Sequence, residues 1–183
     1  MAPRGASKAS RTAATADALY ERAVAALARR SRSRLEMERW LRARGASAEK
    51  ARAVLERLGE RGYLDDRRFA ASFANYQKEA EGFGAARVRR ELRRRGVAEP
   101  LAEGAVADAF AGAREEQMLA AFLRRKRFAR PENPRQAAGL YRRLWQAGFS
   151  SGAIQSALRQ WRVRPEWIEE LAAAEWEEPR ESE

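Results

Sequence analysis

Two adjacent carboxylates followed by two guanidinium groups, Asp65, Asp66, Arg67 and Arg68 in the stretch GYLDDRRFAASF, are the residues whose types and spacing first invite chemistry. An acid pair can share a proton or hold a divalent cation. Catalysis would need a further acid or base at workable spacing, and the sequence offers none. The chain has no His and no Cys. Imidazole-dependent acid–base and triad mechanisms are therefore excluded. Zinc loses its usual ligands, and no disulfide or thiolate chemistry is available. No G-x-x-x-x-G-K-[ST] phosphate loop occurs. The same stretch has a structural reading in which every residue has a task. Asp65 is placed to cap a helix by accepting from a first-turn amide. Asp66 then complements the helix dipole, and Leu64 and Phe69 have the spacing of a hydrophobic staple. The pair reads as a helix start between two modules, in a protein with no catalytic residue, no metal and no cofactor.

The elements around it are helical. Apolar residues recur at three and four, as in Val24 and Leu27, Phe69, Phe73 and Tyr76, and Leu119, Phe122 and Leu123. Gly and Pro fall between the periodic segments. About nine helices of roughly 11 to 17 residues are expected before the C-terminal segment. They repeat. MERWLRARGASAEKARAVLERL, VRRELRRRGVAEPLAEGAVADAF and LYRRLWQAGFSSGAIQSALRQW align so that Leu41, Leu92 and Leu144 correspond. Met37, Val88 and Leu140 lie four residues before them, one turn back on the same helix face. Gly45, Gly96 and Gly148 lie four residues after, placed to end the helix in a left-handed turn. Leu55, Val106 and Leu158 follow ten residues after each glycine. Ser47 and Ser150 are N-caps for the next helix, and Pro100 suits a first turn. Each copy is preceded by a further helix, so the unit is a three-helix module present three times.

The formal net charge is +11, with 37 basic and 26 acidic residues. Such a balance suits a polyanion or an acidic protein surface. A GC-rich genome is an alternative source of the Arg and Ala richness. Residues 84–96 hold six Arg against one Glu, and Arg87, Arg90 and Arg94 share a stripe while Val88 and Leu92 face a core. Residues 113–130 hold six basic residues against two acidic ones, with Arg124, Arg125, Lys126 and Arg127 contiguous. Arg142 and Arg143 add to the third module. These nine residues are the candidate partner- or nucleic-acid-binding set, set against the reading in which such runs are solvated helix faces. Trp40, Trp145 and Phe128 are either core aromatics or platforms for single-stranded nucleic acid.

Three segments also carry a family resemblance: SRSRLEMERWLRARG, VLERLGERGYLDDRRFAASF and GFGAARVRRELRRRGV. With FLRRKRFARPENPRQAAGLYRRLWQAGFSSGAI continuing it, the pattern over about residues 17 to 161 resembles the RecX family of regulators of the RecA recombinase. The resemblance implies an all-α fold of three tandem three-helix repeats in an elongated, curved arrangement. It implies binding in the groove of the RecA–ssDNA filament, inhibition of ATP hydrolysis and strand exchange, a part in DNA repair, recombination and the SOS response, and no enzymatic activity. The family has no catalytic motif to carry over.

The expected organisation is a basic, disordered segment at 1–16, repeats at 17–62, 63–112 and 113–163, and an acidic tail at 164–183. The tail is read either as a solubilising segment or as one that folds back on the basic face. The start has no apolar stretch of the secretory kind, and no run approaches the roughly 18 apolar residues of a membrane span. The expectation is a cytoplasmic monomer whose partner is the recombinase filament, with direct contact to ssDNA or dsDNA as an addition. A stand-alone basic DNA-binding protein of helix-turn-helix type is the alternative.

Overall fold

The computed structural model describes residues 15–174 and Trp176. Among these residues the protein is all helix, with no strand. The α-helices are α1 (Ala16–Arg29), α2 (Arg34–Arg42), α3 (Ala48–Glu60), α4 (Asp66–Tyr76), α5 (Ala85–Arg94), α6 (Glu99–Phe110), α7 (Glu115–Arg125), α8 (Pro134–Gln146), α9 (Ser151–Gln160) and α10 (Pro165–Ala173). A π-helical turn, Gln77–Glu81, extends α4. The α-helices run from 9 to 14 residues, shorter than the spacing suggests, because capped turns cut each one off. The expected N-terminal segment lies outside the described residues except for Thr15 and Ala16. Thr15 caps α1 by accepting from the Ala18 amide at 3.2 Å.

The described residues form two compact units, one ending at Asp65 and one beginning at Asp66. The first unit packs α1, α2 and α3 around Leu19, Met37, Leu41, Val54, Leu55 and Leu58. Ser33 shows why α2 starts where it does. Its hydroxyl accepts from the Glu36 amide, and the Glu36 carboxylate accepts from the Ser33 amide, so two orphan donors are satisfied in a side chain fully removed from solvent. Arg57 of α3 donates to Asp17 of α1 at 2.7 Å and lies 3.9 Å over the Tyr20 ring. The hydrogen bond to Asp17 raises the Arg57 pKa above its ordinary value.

The second unit holds the second and third repeats together, although the sequence separates them at 112 and 113. In the second, α4, α5 and α6 enclose Phe69, Ala70, Ala74, Val88, Leu92, Val97, Ala102 and Val106. In the third, α7, α8 and α9 enclose Leu119, Phe122, Leu140, Tyr141, Leu144, Phe149, Ile154 and Leu158. The equivalent Leu41, Leu92 and Leu144 are each fully buried, and Gly45, Gly96 and Gly148 each close a helix at positive φ (85°, 77° and 90°). Ser47 and Ser150 cap α3 and α9, and Pro100 occupies the first turn of α6.

Two features depart from the sequence reading. The opening Asp pair falls at the expected place, with α4 beginning at Asp66. Leu64 belongs to the core of the first unit, however, and Phe69 to that of the second repeat. The segment read as an acidic tail opens with α10, whose Ile168 and Leu171 are buried against α8 and α9. Pro165 starts that helix, and Ile168 and Leu171 at i, i+3 form its apolar stripe. Trp176 stacks on Tyr141 at 4.8 Å and donates to the Leu171 carbonyl at 2.7 Å.

Candidate functional site

Helix α5 buries Val88 and Leu92 and presents its guanidinium groups on the remaining faces, as the periodicity requires. Those groups are not equivalent. The Arg94 guanidinium is held by Glu91 at 2.6 Å, and Arg93 pairs with Glu99 at 3.4 Å. Arg87 and Arg90 turn toward the third repeat. Arg87 lies 3.7 Å over the Phe83 ring, and Arg90 donates to the Gln146 carbonyl of α8 at 3.1 Å.

Here the second and third repeats are joined. Gly84 donates to the Ala147 carbonyl at 2.8 Å, and the Ala86 amide donates to the Gly148 carbonyl at 3.4 Å. A Cβ on Gly84 would lie 2.1 Å from the Gly148 oxygen, and one on Gly148 would lie 2.3 Å from the Arg87 nitrogen. The two main chains therefore touch where only hydrogen atoms fit. Phe83 packs against both cores and sits 6.1 Å from Phe122. Arg125 closes the other side by donating to the Ala80 carbonyl of the π-helical turn at 2.8 Å. Three of the nine candidate partner residues, Arg87, Arg90 and Arg125, thus serve this joint. Sequence reasoning could not see it, because its acceptors are main-chain carbonyls.

The remaining candidates face solvent. Lys126 stands 5.9 Å from the Phe122 ring centre, Arg142 stands 5.8 Å from Trp176, and Arg143 is exposed in the last turn of α8. Arg124 and Arg127 line a cleft of about 510 Å³ between α7 and α9. Its floor is Ala120, Leu123, Ala153 and Ala157, and its rim includes Glu116, Phe128, Gln160 and Trp161. Arg127 has φ of +54°, where six helix ends elsewhere carry Gly45, Gly62, Gly82, Gly96, Gly112 and Gly148. Arg162 does the same after α9, at the place held by Gly62 and Gly112 in the other repeats. The left-handed turn at Arg127 folds the chain back, so that the Phe128 amide donates to the Leu123 carbonyl at 3.0 Å. Trp161 was not singled out by sequence. Its signal was the register that aligns Arg162 with Gly112.

All three aromatic candidates are engaged, Phe128 being packed on the third core 6.2 Å from the Phe122 ring. Trp40 is half-buried against the first core with Arg44 over its ring at 3.8 Å. Trp145 is packed on the third core with its Nε1 buried. Among the described residues no group of three or more His, Cys, Asp or Glu is placed to hold a metal ion, and no helix is long and apolar enough to cross a membrane.

Comparison with known proteins follows the same architecture. Residues 65–106 match the family description "RecX, second three-helix domain". A protein of Pseudomonas putida (strain GB-1) named "Regulatory protein RecX" is 38% identical over 137 residues, covering 75% of this chain and 86% of that protein. One of the same name from Leptothrix cholodnii is 36% identical over 147 residues, covering 77% of this chain and 87% of that protein. Among solved structures, RecX from Lactobacillus salivarius superposes with a TM-score of 0.62 at 17% identity, covering 80% of this chain and 96% of that one. A second structure, titled as that of regulatory protein RecX, gives 0.65 at 19% identity and covers 79% and 73%. At these identities the structures speak for the fold.

Proposed function

The chain belongs to the RecX family of regulatory proteins, and on that premise we propose that it binds the RecA–ssDNA filament and inhibits the recombinase's ATP hydrolysis and strand exchange, so modulating DNA repair and recombination. One observation carries the reading: the likeness to regulatory relatives runs over 137 residues, the length of a triple-repeat scaffold. A scaffold of linked helical modules suits a periodic partner. Each module makes a weak contact, and linkage multiplies them by roughly 10²–10⁴ in favourable geometry. Inhibition would follow from bridging neighbouring recombinase subunits and occluding the filament groove. The partner contacts left to this chain are the solvent-facing Arg94, Arg124, Lys126, Arg127, Arg142 and Arg143, since Arg87, Arg90 and Arg125 have work at the joint.

The test is a recombinase ATPase and strand-exchange assay with the purified chain. Inhibition at stoichiometric protein is expected, and no inhibition in excess defeats the proposal. A stand-alone DNA-binding protein would instead hold duplex tightly without the recombinase and with a steep salt dependence.

A further inference from the structure

We propose that the glutamates following Trp176 are an intramolecular competitor. They dock on the basic face of α8 formed by Arg135, Arg142 and Arg143, and an acidic polypeptide surface reaches that face only by displacing them. The docking needs no recombinase, so it is separate from the filament reading.

The first observation is that the chain leaves α10 at a fixed point. Leu171 lies in the last turn of that helix, where carbonyls run out of helical amides. The Trp176 indole supplies a donor there, at 2.7 Å. Its ring stacks on Tyr141 of α8, with centroids 4.8 Å apart and planes at 22°. Tyr141 is fully buried, and its hydroxyl shares a 2.6 Å hydrogen bond with Ser151 of α9, so the platform is itself held. The Arg142 guanidinium stands 5.8 Å from the same indole. The chain is thus pinned to α8 beside a cation.

The second observation is charge on the two sides of that pin. Residues 177–183, outside the described residues, carry Glu177, Glu178, Glu181 and Glu183 against Arg180. On α8, Arg135, Arg142 and Arg143 are exposed, and none has a carboxylate partner among the described residues. Arg135 and Arg142 lie two turns apart on one stripe, about 10 Å along the axis at 1.5 Å per residue. Gly139 keeps the stripe open between them, since a Cβ there would meet nothing within 4 Å. The segment after Trp176 spans up to about 25 Å when extended, so it reaches both arginines.

An exposed ion pair is weak on its own. The tether changes the balance, because a short linker holds the carboxylates at a local concentration on the order of millimolar. A segment docked in about half to nine-tenths of molecules lowers a competitor's affinity about two- to tenfold.

The chain has no Cys, so Ser182→Cys gives a single site for a nitroxide spin label. Amide signals of residues 135–143 should be broadened by the label at low salt. They should recover at about 1 M salt, where the screening length falls to about 3 Å. Changing Glu177, Glu178, Glu181 and Glu183 together to Gln should reduce the broadening at low salt, and so should Arg142→Gln with Arg143→Gln. Equal broadening in the glutamate and glutamine chains, the result of tethering alone, overturns the proposal. Masking is read by titrating labelled poly-glutamate into the full chain by fluorescence anisotropy. The four tail substitutions should raise its affinity about two- to tenfold. Changing Glu21, Glu38, Glu49 and Glu60, exposed in the first unit, to Gln adds the same net charge and should raise it less. Equal gains in the two variants overturn the masking. Neither measurement contains recombinase, so failure of the filament reading leaves both unaffected.

Discussion

The turns after α2 and α8 have nearly the same backbone and opposite surroundings. Both end a helix on a glycine in the left-handed region, Gly45 at φ +85° and Gly148 at +90°, and both hand over to a serine N-cap. A Cβ on Gly45 would meet nothing within 4 Å, whereas one on Gly148 would strike the main chain of Arg87 and Gly84. The serines differ in the same sense. Ser47 caps α3 alone, while the amide and hydroxyl of Ser150 both donate to Glu115 of α7, at 2.7 and 2.5 Å. One local motif thus does two jobs. In the first copy it only reverses the chain. In the third it also forms a surface that the second repeat fits.

The comparison can be broken by substitution. Gly148→Ala should have the largest effect, about 4 kcal/mol in denaturant unfolding of the second unit, because left-handed strain adds to an overpacked main-chain contact. Gly84→Ala has ordinary φ, −75°, and so isolates the contact. About 3 kcal/mol is expected, with faster amide exchange at residues 84–90 and 147–150. Ser150→Ala should cost about 2 kcal/mol and Ser47→Ala about 1 kcal/mol, since the first also removes the hydroxyl's charge-assisted bond to Glu115 while the amide's bond remains. Gly45→Ala should be the mildest of the glycine changes, about 1 kcal/mol, from strain alone. Equal losses for Gly45→Ala and Gly148→Ala in matched unfolding measurements would erase the distinction.

The same contrast marks what could be read beforehand. The repeat was legible because its signals are local: Leu41, Leu92 and Leu144 one turn after an apolar residue, a glycine four later, and a serine cap in the outer copies. The α5 pattern of Val88 and Leu92 against a basic stripe was legible for the same reason. The partners of that stripe were not. Arg90 ends on the Gln146 carbonyl and Arg125 on the Ala80 carbonyl, and no residue type announces a main-chain acceptor 56 or 45 positions away. Charge also hid α10. The glutamates around Ile168 and Leu171 suggested a solvated segment, although the i, i+3 pair is enough to dock a short helix. The cleft was half visible. The run Arg124 to Arg127 and Phe128 stood out in sequence, but Trp161 reaches it only through the packing of α9 on α7.

The contact of Gly84 with Gly148 has a consequence for drift among related chains. Where peptide groups meet directly, a junction asks little of side-chain identity beyond the few that reach across it, here Phe83, Arg90 and Arg125. Substitutions can accumulate across α5 and α8 while the angle between their repeats stays put, provided two positions never acquire a methyl group. Divergence at this seam is therefore cheapest away from the two glycines and the side chains that cross it.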